Sequence, residues 1–254
     1  MIIRINPPER KVKILQALIQ EYTETGEPVA SKVIYRKYHL NISPATIRND
    51  FKELNQKGFL YKPHISSGRI PTDKAWRFFI KSILEDELAF FQRREEKIIE
   101  NIVRSQLAKI GFQPARFHYQ LLNPLFIQKM VDILSSESRL FCFCYLSEKE
   151  EMIQRGFRYL FEGEIEESLS PDFIQKIIDS LESLNEKVKD IRIEKSPLVL
   201  IGKENYLIDS EEFSSILSYL SQPKAIIGML GPKRMPYKRN IAILEAVSHF
   251  FCRE

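Results

Sequence analysis

The side chains best placed to do chemistry lie between residues 43 and 69. The stretch SPATIRNDFKELNQKGF opens with Ser43 and carries Thr46, Arg48, Asn49 and Lys52 in its first turns. Asn bonds adenine at two positions and Arg does the same for guanine, so Arg48 and Asn49 are candidate base readers. Lys52 and Thr46 suit phosphate oxygens. Ser43 suits a helix cap, and the free N–H groups beside it can meet a phosphate. The next segment, LYKPHISSGRIP, sets Lys62, His64, Ser66, Ser67 and Arg69 around Gly68. Small and cationic groups in a turn can follow a nucleic-acid backbone, or can place Arg69 in a narrow minor groove. A plain hairpin with an exposed Arg has the same composition.

These residues need a scaffold. Pro44 fits the first helical position and Gly58 the helix stop. Ile47, Phe51 and Leu54 recur at helical spacing, so the polar residues fall on the other face. A helix over Glu9–Thr23 precedes them, stopped by Thr25-Gly26-Glu27-Pro28. A second starts with Ser31 as its cap and runs to about Tyr38. Phe59 to Ile65 reads as a strand, with a brief second strand at Ile70. Pro71-Thr72-Asp73 then opens a helix containing Ala75, Trp76, Phe79, Ile80 and Ile83. Helix, helix, turn, helix, hairpin, helix is the order of a winged helix-turn-helix, whose second paired helix enters the major groove.

Charge agrees with this placement. Residues 1–84 hold 15 Lys and Arg against 7 Asp and Glu, a surplus of eight. The remaining residues hold 23 against 27. A basic head on an acidic body suits a polyanionic partner for the head. The chain of 254 residues suits two domains. We expect a winged-helix domain over 1–80, a linker or dimerisation helix over 81–111, and a mixed α/β domain over 112–254. The fold class is α+β. Leu84, Leu88, Phe91, Ile98 and Ile102 form the linker's apolar stripe. That stripe suits a coiled-coil seam or a helix packed on the body. Further on, helices are expected at 125–134, 171–185 and 241–251. Strands are expected at 139–146, 191–193, 198–201 and 225–230.

No His cluster, P-loop or nucleophile elbow occurs. His39, His64, His118 and His249 are isolated, so an enzyme has the least support, and no cofactor is expected. Cys142 and Cys144 would share one face of a strand. A Cys-x-Cys metal pair is conceivable, but nothing completes it, and buried thiols are expected. With Cys252 the count is odd. That and the absence of a signal segment suggest the cytoplasm.

The segment TGEPV, the segment SPATIRND, and Pro63-His64 leading into Ser67-Gly68-Arg69-Ile70-Pro71-Thr72-Asp73 resemble the heat-inducible transcription repressor HrcA family. So do Gly202-Lys203-Glu204-Asn205 and Gly231-Pro232-Lys233-Arg234-Met235-Pro236-Tyr237 near the C-terminus. The resemblance implies a homodimeric repressor of chaperone operons. It would bind an inverted-repeat, CIRCE-type operator on double-stranded DNA and be supported by a GroEL-type chaperonin until heat diverts the latter. It also implies a GAF-like second domain with an inserted dimerisation segment. This chain is shorter than the family pattern, with the loss expected between about 111 and 155. The two glycine-containing patches are open to two readings, the lining of a ligand pocket or simple turns of the chain. A ligand-responsive regulator of another regulon and a protein-binding winged helix are the alternative readings.

Overall fold

Glu9–Thr25 forms the first helix, α1, because Ile14, Leu15, Leu18 and Ile19 stack into one fully buried stripe. The computed structural model describes residues 9–64, 67–85, 97, 101–106, 108–109, 111, 124–162, 170–221 and 224–252. They form two compact units, Met1–Asp86 and Glu87–Glu254.

In the first unit, α2 (Ser31–Tyr38) and α3 (Pro44–Gln56) follow α1. Ser31 is not the cap of α2. Ala30 occupies that position with no side-chain bond, so the helix starts uncapped by a hydroxyl. The turn between α2 and α3 places His39 and Asn41 at positive φ, which gives the sharp reversal without glycine. The hairpin is minimal: β1 (Leu60–Tyr61) pairs antiparallel with β2 (Ile70–Pro71). It is much shorter than the Phe59–Ile65 strand expected, since β2 has only two residues before α4 (Asp73–Glu85) begins. Ala75, Trp76 and Ile80 of α4 are buried where that helix packs against α1 and β2, and Ile34, Ile47, Phe51 and Leu54 are buried on α2 and α3.

The second unit is an antiparallel sheet between two layers of helix. α5 (Pro124–Ser138), β3 (Phe141–Leu146) and β4 (Glu151–Arg155) come first. α6 (Pro171–Glu182) and α7 (Leu184–Lys189) follow, then β5 (Leu198–Ile201), β6 (Phe213–Leu220), β7 (Ala225–Pro232) and α8 (Tyr237–Cys252). The strand order is β4-β3-β7-β6-β5. Alternation sorts the faces. Phe141, Phe143 and Tyr145 join Phe213, Leu217, Ile226 and Leu230 in one core with Ile177, Leu184 and Val188 of α6 and α7. Cys142, Cys144 and Leu146 point to the opposite face, where α5 and α8 pack. Gly228 lies opposite both Phe143 and Leu217. A Cβ there would lie 2.4 Å from the Phe143 ring, so the missing side chain lets those residues close over the sheet.

Several expectations change here. The strand expected at 139–146 is β3, which lies inside the sheet; β4, paired with it as a hairpin, was not expected. Ile191–Ile193 is not a strand: Ile191 drops into the core from an irregular segment. Phe213–Leu220 is a buried strand that its three serines disguised. Those serines are buried, and two have polar partners: Ser215 Oγ donates to Asn205 Oδ1 at 2.9 Å, and the Ser218 and Ser196 hydroxyls lie 2.7 Å apart. In the linker, Leu88, Phe91 and Ile98 lie outside the described residues, as does His118. Of the rest of that stripe, Leu84 and Ile102 are exposed, and the neighbouring Val103 is fully buried.

Candidate nucleic-acid interface

α3 carries the candidate recognition surface. Ser43 caps it: its Oγ accepts the Thr46 amide at 3.1 Å and lies 3.0 Å from Thr46 Oγ1. Pro44 takes the first helical position, and Lys57 and Gly58 end the helix. Ile47, Phe51 and Leu54 are buried. Arg48, Asn49 and Lys52 lie on the opposite face, exposed. None of the three has a hydrogen bond or ion pair among the described residues. Thr46 is half-buried and, with Ser43, committed to the cap.

Asp50, between Asn49 and Phe51, was not singled out by its sequence. It is only 1 % exposed and accepts two bonds from Arg10, Nε to Oδ2 and Nη2 to Oδ1, each 2.9 Å. The Asp50 carboxylate holds the Arg10 guanidinium pKa above its ordinary value, mainly through that hydrogen bond. Lys11 bonds Glu53 one turn on. These pairs tie α3 to α1 and fix which face points outward.

Internal pairing also decides where the positive surplus goes. Arg10, Lys11, Lys13 and Lys37 face carboxylates, Lys37 reaching Glu21 at 2.7 Å and Glu24 at 2.6 Å. Those two bonds raise the Lys37 pKa, and burial raises that of Tyr38, whose hydroxyl donates to Glu21. On the outer side of α2, Lys32 and Arg36 stand exposed with no ion pair among the described residues. Tyr35 between them is 48 % exposed. Sequence reasoning missed these three. The signal was available in their spacing, three and four residues apart around Lys32 and one face away from buried Ile34.

The wing differs from its expected form. Ser67 closes the tip: its Oγ donates to the His64 carbonyl at 2.7 Å and accepts the His64 amide at 2.9 Å. Its hydroxyl is therefore engaged within the turn. His64 is exposed, Lys62 half-buried, and Ser66 lies outside the described residues. Arg69 is not an exposed tip cation. Its backbone exchanges two 2.9 Å bonds with Val29, Nη1 turns back to the Gly68 carbonyl at 3.3 Å, and Nε is buried without a partner. Gly68 permits this approach, since a Cβ there would lie 2.5 Å from backbone atoms of Pro28 and Val29. The segments TGEPV and SGRI thus meet in one bridge.

The glycine-containing patches of the second unit are stitched by packing. Gly202–Glu204 is a single 3-10 turn, Asn205 is buried against Ser215, and the Tyr237 hydroxyl donates to the Lys233 carbonyl at 2.8 Å. Neither cavity described in that unit is lined by them. Cys142 and Cys144 are buried free thiols, each pushed up to about 12 by burial. Among the described residues no group of three or more His, Cys, Asp and Glu could hold a metal ion. Nor is any helix there long and apolar enough to cross a membrane.

Residues 37–66 match the DeoR-like helix-turn-helix domain. The heat-inducible transcription repressor HrcA of Clostridium botulinum (strain Eklund 17B / Type B) is 24% identical over 326 aligned positions, covering 94% of this chain and 95% of that one. With 254 residues here, at least 72 of those positions have no counterpart. The protein of the same name from Chloroflexus aggregans is 52% identical over 77 positions, 30% of this chain and 20% of that one. A crystal structure of a hypothetical protein at 2.2 Å resolution shares the fold. It has a TM-score of 0.70 and 18% identity, covering 97% of this chain and 99% of that one. Residues 82–241, more than half of the chain, match the HrcA protein C terminal domain, and behind its helix-turn-helix head the chain therefore belongs to the HrcA family.

Proposed function

We propose that this chain is a transcriptional repressor that binds an inverted-repeat, CIRCE-type operator upstream of heat-shock chaperone genes as a dimer, and leaves it on heat stress. The observation that carries the reading is the divided surface of α3. Arg48, Asn49 and Lys52 are exposed and uncommitted, while Asp50 and Glu53 hold the same helix to α1 through Arg10 and Lys11. A helix so held presents bidentate donors without reorganisation, which favours base readout in the major groove. Lys32, Tyr35 and Arg36 on α2, with Lys62 and His64 at the wing, serve the flanking phosphates. Arg69 acts through its backbone bridge, by holding the wing in place. The relatives' name, heat-inducible transcription repressor, supports heat as the releasing signal. A GroEL-type chaperonin is the partner that keeps the repressor active until unfolded clients draw it away.

Footprinting of the upstream region of chaperone genes tests the whole reading. Protection of two symmetric half-sites, strengthened by chaperonin and lost on heating, is the expected result. Equal affinity for the operator and a scrambled duplex overturns operator recognition. Release by a metabolite at constant temperature overturns the heat signal.

A further inference from the structure

The sheet of the second unit ends at β4, which pairs with β3 on one side and with no strand of the described residues on the other. Natural sheets protect such an edge with like charges, prolines or a covering element. β4 does otherwise. It reads Glu151-Met152-Ile153-Gln154-Arg155, with opposite charges at its two ends. Beside it lies a groove of about 630 Å³, lined by Phe157, Phe161, Ile174, Ile178 and Leu181, with Gln154 and Glu182 as its polar members. Phe157 is 45 % exposed and Ile178 40 %, large apolar groups left open to water.

We infer that this edge is a self-docking surface and that its occupant is β4 of a second copy of this chain. Antiparallel pairing centred on Ile153 sets Glu151 opposite Arg155 of the second copy, and Arg155 opposite Glu151 of the second copy. Two opposite-charge cross-strand pairs therefore form at once. Arg155 is already held on the edge: Nε bonds Asp132 at 2.6 Å and Nη1 donates to the Gln154 carbonyl at 2.8 Å. Its guanidinium has five donors, so others remain for a carboxylate. Glu151 is exposed and has no ion pair among the described residues. A two-fold axis normal to the sheet keeps corresponding faces on the same side. Met152 and Gln154 of both copies then share a face, and the two apolar grooves adjoin across the seam. The pairing is isologous and closes on itself, so it stops at two copies. It rests on and deepens the proposed function, because two heads related by a two-fold axis are what an inverted repeat engages.

Sedimentation velocity on the full chain between about 1 and 100 µM tests it. The unaltered chain dimerises. Glu151→Arg and Arg155→Glu each turn two attractions into repulsions and weaken the dimer roughly tenfold or more. The doubly exchanged E151R/R155E chain, carrying Asp132→Asn so that the carboxylate placed at 155 meets no like charge from α5, recovers the affinity, because the pairs are restored with reversed polarity. Glu151→Gln gives a milder version, a loss of a few-fold, should a reversal disturb folding by circular dichroism. A chain that stays monomeric throughout, singles that dimerise normally, or a double exchange that does not recover overturns the inference. The groove then belongs to another segment of the chain or to a different protein. Binding of each variant to a single half-site duplex, read by fluorescence anisotropy, separates the two claims. Half-site binding in a monomeric variant leaves operator reading intact. A dimeric chain that binds no duplex leaves the seam standing and removes the function.

Discussion

Asn49 and Phe51 are two residues apart and have opposite fates. Asn49 is exposed and uncommitted, so Asn49→Ala should cost about 1–3 kcal/mol of discrimination at one operator base pair. The melting temperature should barely move, because exposed substitutions change stability by about 0.5 kcal/mol or less. Phe51 is 3 % exposed at the centre of the head, and Phe51→Ala should cost about 3–5 kcal/mol in denaturant unfolding. The thiols make a different kind of prediction. Burial raises Cys142 and Cys144 from 9.0 to about 12, so the folded chain keeps protons that the unfolded chain releases. The sign follows from linkage: their contribution is complete below about pH 9 and is lost as pH rises from about 9 to about 12. A C142A/C144A chain should show a shallower alkaline fall in melting temperature than the unaltered chain, and neither thiol should react with Ellman's reagent at pH 8 before unfolding.

At the scale of elements, the wing and α2 matter most. The wing is a two-residue ladder extended by the Val29–Arg69 bridge, so its orientation depends on a contact with the α1–α2 loop. Gly68→Ala puts a Cβ 2.5 Å from the Pro28 carbonyl oxygen, which is backbone and cannot step aside as a side chain can. The bridge should open. We expect faster hydrogen exchange at the Val29 and Arg69 amides, a loss of about 1–3 kcal/mol of stability, and weaker binding to all duplexes alike. For α2, the double change Lys32→Ala with Arg36→Ala should lower the slope of log affinity against log salt by about 2, one unit per phosphate released, with the base preference unchanged. An unchanged slope would place the outer face of α2 away from the DNA.

For the molecule as a whole, the charge division takes on a physical meaning once pairing is known. The head's carboxylates bind cations of α1 and Lys37 of α2 internally, while Lys32 and Arg36 of α2 and Arg48 and Lys52 of α3 stand exposed on the outer sides of those helices. The head follows from local rules: apolar residues at helical spacing, Ser43-Pro44 at a helix start and Gly58 at its end are short-range signals. They were legible in the sequence, as was the exposure of Arg48, Asn49 and Lys52. What only the tertiary structure decided are the relations between residues far apart in the chain. Asp50 is a plain acid until Arg10 arrives from forty residues away. Arg69 is a surface cation until Val29 draws its backbone into a bridge. Phe213–Leu220 is a serine-broken run until β5 and β7 flank it and Asn205 and Ser196 bond its serines. Periodicity reports which face of an element is buried. It carries no information about which distant partner buries it, and the desolvation of a polar group is paid or forgiven only by that partner.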